Sequence, residues 1–152
     1  MRRKEREITD HTALEEILHK ARICRLAMSA DDQPYVIPLC FGYRDRTLYI
    51  HCAQEGLKID MLKKNNRICF EVDGDHELVR GESAFEWGMK GRSVIGFGRA
   101  HLINDPEGKT RALDVIMEHY GAKGPFAYKN KGFQKALVIK VEIERLTGKK
   151  VG

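Results

Sequence analysis

Apolar residues along this chain recur with two periods, and the switches between them lay out the elements. Between residues 13 and 22, Leu14, Ile17, Leu18 and Ala21 fall on one helical face, with Thr12 and Glu15 offering a capping box at the start. Strand-like segments follow at 23–30, 35–43 and 47–53, separated by turns at 31–34 and 44–46 short enough to predict antiparallel hairpins. A short helix is expected from about Gly56 to Asn65. At 67–73, Ile68, Phe70 and Val72 point one way and Arg67, Glu71 and Asp73 the other, the pattern of a sheet with one wet side. The acidic stretch 71–86 reads as a solvated connection. Residues 92–103 form the longest predicted strand, where Gly96 and Gly98 mark a bend, a bulge or a close backbone approach.

Asp105 and Pro106 are suited to be the N-cap and first residue of a second long helix. Its expected buried face is Leu113, Ile116, Met117 and Tyr120, and Gly121 its stop. A loop at 122–135, rich in glycine, lysine and aromatics, leads to a last strand at 136–144, with Leu137, Ile139, Val141 and Ile143 inward. Six hairpin-linked strands are too many for a flat sheet in so small a chain. Closing them into an antiparallel barrel removes the exposed edges, so the expected fold is mainly β with flanking helices.

Length and composition narrow this picture only a little. The 152 residues suit one domain spanning 1–152, with a charged, flexible N-terminus at 1–9. Hydrophobic residues at 42% and charged residues at 32% are globular values, so disorder is not the expectation. The charged start is not a secretory signal, and no run approaches a membrane span, which points to the cytoplasm. The four cysteines, Cys24, Cys40, Cys52 and Cys69, fall in strand-like segments without a C-x-x-C pair and read as reduced, buried hydrophobes. His76 and His101 lack a second ligand at metal-binding spacing, so no metal site is expected. The net charge of +5 favours an anionic partner without naming one. No basic stripe with interleaved aromatics appears, which argues against nucleic acid.

The chemistry concentrates between Leu48 and Leu62. By the period of two, Leu48, Ile50 and Cys52 share the core face, and Tyr49, His51 and Ala53 point away. The helix that starts near Gly56 offers free N–H groups and the positive end of its dipole. Lys58 sits in that first turn, where a cation is disfavoured unless an anion faces it. Gly56 to Lys58 is therefore a candidate phosphate site, the alternative being a solvated lysine in a connecting turn. Pro38 cannot donate to a ladder, so its strand belongs at an edge or a bulge.

Tyr35-Val36-Ile37-Pro38-Leu39, Phe41-Gly42-Tyr43 and Leu48 to Ala53 with Gly56 and Lys58 resemble the flavin-binding split-barrel superfamily of pyridoxamine-phosphate oxidase. Arg92 to Ala100 and the closing Glu144 to Lys149 resemble its nitroimidazole-resistance (Nim-like) branch, and the likeness runs from about residue 10 to 149. The resemblance implies a six-stranded antiparallel split β-barrel forming a homodimer, with FMN at the interface in preference to FAD. It implies a phosphate at Gly56 and Lys58 and a flavin ring against Ile37, Pro38 and Leu39, with Ile50, His51, Cys52 and Ala53 alongside. His51 is then a candidate catalytic residue, with a structural histidine as the alternative. Trp87 is a candidate for stacking at the flavin or closing the dimer, and Ser93 for reaching the phosphate.

The function so implied is reduction of small organic molecules, nitroaromatics among them, by a reductant the sequence does not name. Gly96-x-Gly98 lacks the third glycine and the strand-to-helix setting of a nicotinamide site. Pyridoxamine-phosphate oxidation proper is disfavoured, because no arginine-rich C-terminal signature is present. The alternative is a non-catalytic flavin- or haem-holding module with His51 as an axial ligand.

Overall fold

A computed structural model describes residues 2–128 and 131–152. A short 3₁₀ turn precedes β1 (Glu7–Ile8) and α1 (His11–Lys20). Then come β2 (Cys24–Ala30), β3 (Gln33–Leu39), β4 (Gly42–Arg44), β5 (Thr47–Ala53) and α2 (Leu57–Lys64). The second half is β6 (Arg67–Val79), β7 (Gly88–Ile103), α3 (Pro106–His119), α4 (Lys131–Lys135) and β8 (Ala136–Val151). All strands pair antiparallel in one sheet of order β3-β2-β6-β7-β8-β5-β4, with β1 added beside β8. The sheet is the split barrel expected, with eight strands in place of six.

The two extra strands and the longer ones have definite causes. The segment 35–43 divides into β3 and β4 because the chain leaves the ladder at Cys40 and Phe41. Cys40 is consequently exposed, not buried in a strand; all four thiols are free. Glu7 and Ile8 pair with Lys149 and Gly148, so this end of the N-terminus is tied into the sheet and not loose. The acidic stretch 71–86 is no solvated connection over most of its length: β6 continues to Val79 in a long hairpin with β7. Both faces of that extension lie largely outside the core, so the apolar alternation that marks a half-buried strand is missing there while the backbone ladder persists. Residues 129 and 130 of the loop expected at 122–135 lie outside the described residues.

Helix ends follow local chemistry. Asp10, not Thr12, caps α1, its Oδ1 accepting from the Thr12 N–H at 3.1 Å. Asp105 caps α3 through the Gly108 N–H at 2.7 Å, with Pro106 next to it. Two-residue turns at Asp31-Asp32 and Asp45-Arg46 take positive φ, which matches the twist of tight hairpins.

The barrel interior is filled from both sides of the sequence: Leu26, Phe70, Val72, Val94, Leu48, Ile50, Ile139 and Val141 are buried, with Leu14, Ile17 and Leu18 of α1 closing one opening. Outside the barrel, α3 lies over β4, β5 and β8. Its buried face is Ala112, Val115 and Ile116; Met117 and Tyr120, expected inside, are exposed because the helix is rotated to meet the sheet. Gly42 permits that approach, since a Cβ there would lie 2.7 Å from the Ile116 backbone.

Candidate functional site

The sheet does not close on itself, and the opening is where the sequence candidates gather. β3 is paired only through β2, leaving its other edge free among the described strands. β4 pairs with β5 only from Thr47 to Tyr49, so Ile50 to Ala53 also carry a free edge on that side. Only Cys40 and Phe41 separate β3 from β4. Three trans peptide links put Leu39 within about 11 Å of Gly42, the partner of Tyr49. β3 and the end of β5 are thus two unpaired edges joined by a short link. Unpaired strand N–H and C=O groups along them suit the polar edge of a planar ligand.

α2 bridges from the end of β5 to the other hairpin. The helix leaves β5 through Gln54, Glu55 and Gly56 and is tied to the β2–β3 hairpin by Lys64 to Asp31 at 2.5 Å and Asn65 to the Ser29 carbonyl at 2.9 Å. Gly56 is its N-cap, with φ +119°, a region that L side chains rarely adopt, and open space where a Cβ would stand. Its carbonyl accepts the N–H groups of Ile59 and Asp60, which leaves those of Leu57 and Lys58 for an outside acceptor.

Lys58 is half-buried and makes no hydrogen bond or ion pair with any described residue. It does act on Cys52: burial pushes that thiol up, and the Lys58 ammonium pulls it part of the way back. The cation therefore sits beside the end of β5. A free cation in the first turn of a helix, next to free N–H groups, is an arrangement that favours an anion. Across the turn lies a cavity of about 580 Å³ lined by Ala53, Gln54, Glu55, Gln134 and Lys135. It is braced by a hydrogen bond from Gln54 Nε2 to the Gln134 carbonyl at 3.0 Å. Sequence reasoning missed Gln134 and Lys135; the lysine-rich loop before β8 was visible, but nothing local joins it to residues 53–55.

The structure sorts the other candidates. His51 and Ala53 are exposed on the face opposite the core, and His51 makes no hydrogen bond or ion pair among the described residues. Ile50 is completely buried, so its side chain is not a ligand contact. Ile37 and Leu39 are half-buried and pack against the core. The residues that β3 presents outward are Val36, at 62% exposure, and Pro38. The alternation of an edge strand, with its free side still facing the barrel, accounts for the exchange.

Trp87 and Ser93 do not join this group within one chain. Ser93 pairs with Lys149 at the far end of β8, whereas Ala53 pairs with Ala136 at its start. Trp87 stands further along the same hairpin, half-exposed beneath Arg80 at 6.0 Å. With Leu78, Met89 and Phe85, the last at 102% exposure, it makes an apolar projecting arm. His76 and His101 are engaged by Asp73 at 3.3 Å and Glu142 at 3.4 Å.

Comparison with known proteins gives the family. A family model described as pyridoxamine 5′-phosphate oxidase matches residues 10–150. The chain belongs to that family. A candidate 5-nitroimidazole antibiotic resistance protein from Bacteroides thetaiotaomicron shares 36% identity over 95% of this chain and 86% of its own, with a TM-score of 0.83. A FAD-binding protein from Mesorhizobium loti shares 26% identity over 97% and 98%, with a TM-score of 0.71. An uncharacterised protein of Rhizobium meliloti is 22% identical over 136 residues, 84% of this chain and 83% of that one. Within the pyridoxamine 5′-phosphate oxidase family the likeness is thus to the nitroimidazole-resistance branch, as the motifs at Arg92 to Ala100 imply. No helix among the described residues is long and apolar enough to cross a membrane.

Proposed function

We propose that the chain is an FMN-binding oxidoreductase acting on small organic molecules, nitroaromatics among them. The observation that carries the reading is Lys58: a half-buried cation without an anionic partner among the described residues, at the free N-terminus of α2 and beside the open edge of β5. Lys58 and the N–H groups of Leu57 and Lys58 hold the 5′-phosphate. The free edges of β3 near Pro38 and of β5 at His51 to Ala53 hold the ring, with Val36 and Pro38 supplying the outward apolar surface. A flavin so held supplies hydride and single-electron transfer. The protein's part is to orient the ring, limit water and hold a proton source near it, for which His51 is the candidate.

A second copy of the chain completes this site in the proposal. Ser93 on β7 and Trp87 just before it lie too far from α2 and the end of β5 to serve their own chain's site, and the arm that carries Trp87 exposes apolar surface with no cover in one protomer. A two-fold dimer would bring the arm of each protomer to the other.

The test is titration of FMN and riboflavin into the flavin-free protein and into Lys58→Ala. Hydrogen bonds to charged groups contribute about 1.5–3 kcal/mol, so the substitution should weaken FMN roughly 10- to 150-fold. Riboflavin, which has no phosphate, should be affected much less. Equal losses for the two ligands would remove the phosphate from this position.

A further inference from the structure

The short link between β3 and β4 brings two of the four free thiols together. Pro34, Val36 and Pro38 lie at alternate positions of β3, opposite Ser29, Ala27 and Arg25 of β2. Proline has no N–H to give a ladder, so the main-chain groups at these positions point away from β2. Cys24 and Leu39, the next pair along, are therefore hydrogen-bonded to each other, with Cα atoms about 5.5 Å apart. Cys40 follows Leu39 by one strand step, which sets its Cα about 6.5 Å from that of Cys24. A disulfide spans Cα separations of about 4.4–6.8 Å.

The surroundings agree with that closeness. Burial pushes the Cys24 thiol up to about 12, and the neighbouring Cys40 is the next cause of the rise. Tyr120, at the end of α3, meets both cysteines: burial lifts its phenol, and its hydrogen bond with the Cys40 side chain adds to the lift, as does the charge of either thiolate. The Tyr120 hydroxyl accepts from the Phe41 N–H at 3.1 Å and donates to the Arg22 carbonyl at 2.5 Å. Phe41 is completely buried, its ring 4.5 Å from that of His119. The link is thus anchored at Phe41, while Cys40 is exposed and Cys24 completely buried beneath it. The other two cysteines lie elsewhere. Cys69 stands opposite Ala27, three positions along β2, and Cys52 near the end of β5.

We propose that Cys24 and Cys40 are a reversible dithiol–disulfide pair whose closure fixes the link between the unpaired edges of β3 and β5. The pair does not depend on which ligand those edges hold. Cys40 reacts first, because it is exposed and Cys24 is not. Its thiolate attacks a small disulfide, breaks that S–S bond, forms a mixed disulfide and releases one thiolate. Cys24, giving up its proton, then attacks the Cys40 sulfur and releases the second. The two protein thiols lose two electrons, and the oxidant takes them up as two thiols that carry the two protons. Burial keeps Cys24 a slow nucleophile, so the pair closes only under sustained oxidation.

The full chain is held in oxidised glutathione, the remaining thiols are capped with N-ethylmaleimide, and its peptides are mapped without reduction. Two of the four thiols should disappear into a linked Cys24–Cys40 peptide pair and return with dithiothreitol. Cys40→Ser should abolish the reaction. Cys24→Ser and Cys24→Ala should each stop it at glutathione on Cys40, and the wild-type map decides the matter if neither variant folds. Amide hydrogen exchange across residues 39–42 should slow about fivefold or more in the oxidised chain. Glutathione retained on Cys40 of the wild type overturns the proposal, as does a bridge to Cys52, Cys69 or another chain, or four thiols still free. Unchanged exchange in a chain that carries the bridge overturns the fixing of the link.

Discussion

The ammonium of Lys58 lies close enough to the Cys52 thiol to lower a pKa that burial raises. This pairing joins the end of β5 to the first turn of α2 and gives a probe of the site that needs no turnover. Cys52 should alkylate slowly at neutral pH, faster as pH rises, and more slowly still in Lys58→Ala, where the thiolate loses its neighbouring cation. Bound flavin should protect it. Peptide mapping against exposed Cys40 measures this; faster alkylation in Lys58→Ala would show that the two groups are not neighbours in solution.

His51 faces away from the core with no partner among the described residues, as a proton donor beside a flavin should. His51→Ala should keep its flavin and lose about 100-fold or more in reductase turnover, the range for a lost general acid. Unchanged turnover on every acceptor tried would leave His51 without a catalytic role.

The arm formed by Leu78, Phe85, Trp87 and Met89 has no cover in one protomer. Wild type should sediment as a dimer at micromolar concentration, and Phe85→Asp combined with Trp87→Asp should shift it to monomer. A wild-type monomer carrying flavin would contradict the shared site.

Gly42 lies against the α3 backbone, where a Cβ would stand 2.7 Å from both the Ile116 N and Cα atoms. Backbone on both sides cannot yield as a flexible side chain does. Gly42→Ala should destabilise the fold by about 1–3 kcal/mol, measured by urea unfolding. An unchanged midpoint would mean that α3 shifts freely on the sheet.

Burial holds the His119 imidazole below its ordinary pKa, while its Nε2 meets the Ala21 carbonyl at 2.7 Å. Below the ordinary value the unfolded chain therefore binds more protons than the native one. This stability is full above the ordinary histidine pKa and is lost as pH falls from there toward the native value. The urea midpoint should drop between about pH 7 and pH 5. His119→Asn, which can still donate to Ala21, should flatten that drop; an unaltered slope would assign it to other groups.

The elements legible from the sequence are those whose faces differ in solvation. The alternation at 47–53 marked β5 from end to end, with Leu48 and Ile50 inward and His51 outward, because one side of that strand meets the core and the other does not. Asp105 and Pro106 placed the start of α3 because capping is chemistry among adjacent residues. Gly56 and Lys58 were visible for the same reason. Beyond Asp73, β6 carries no such contrast, and its pairing with β7 is written only in backbone hydrogen bonds that any sequence can make.

By itself, then, the sequence determined the local half of this protein: the strand periods, the helix caps and a cation set where an anion should lie. Only the tertiary structure decided that Ile50, Ile37 and Leu39 spend their side chains on the core. It also decided that β3 and the end of β5 are left as unpaired edges, and that Lys109 of α3 is buried on the carbonyls of Phe133 and Ala136. Each of those facts depends on which strand ends lack a neighbour and which distant segments pack together. Such contacts are made by residues tens of positions apart, and no periodicity within one segment records them.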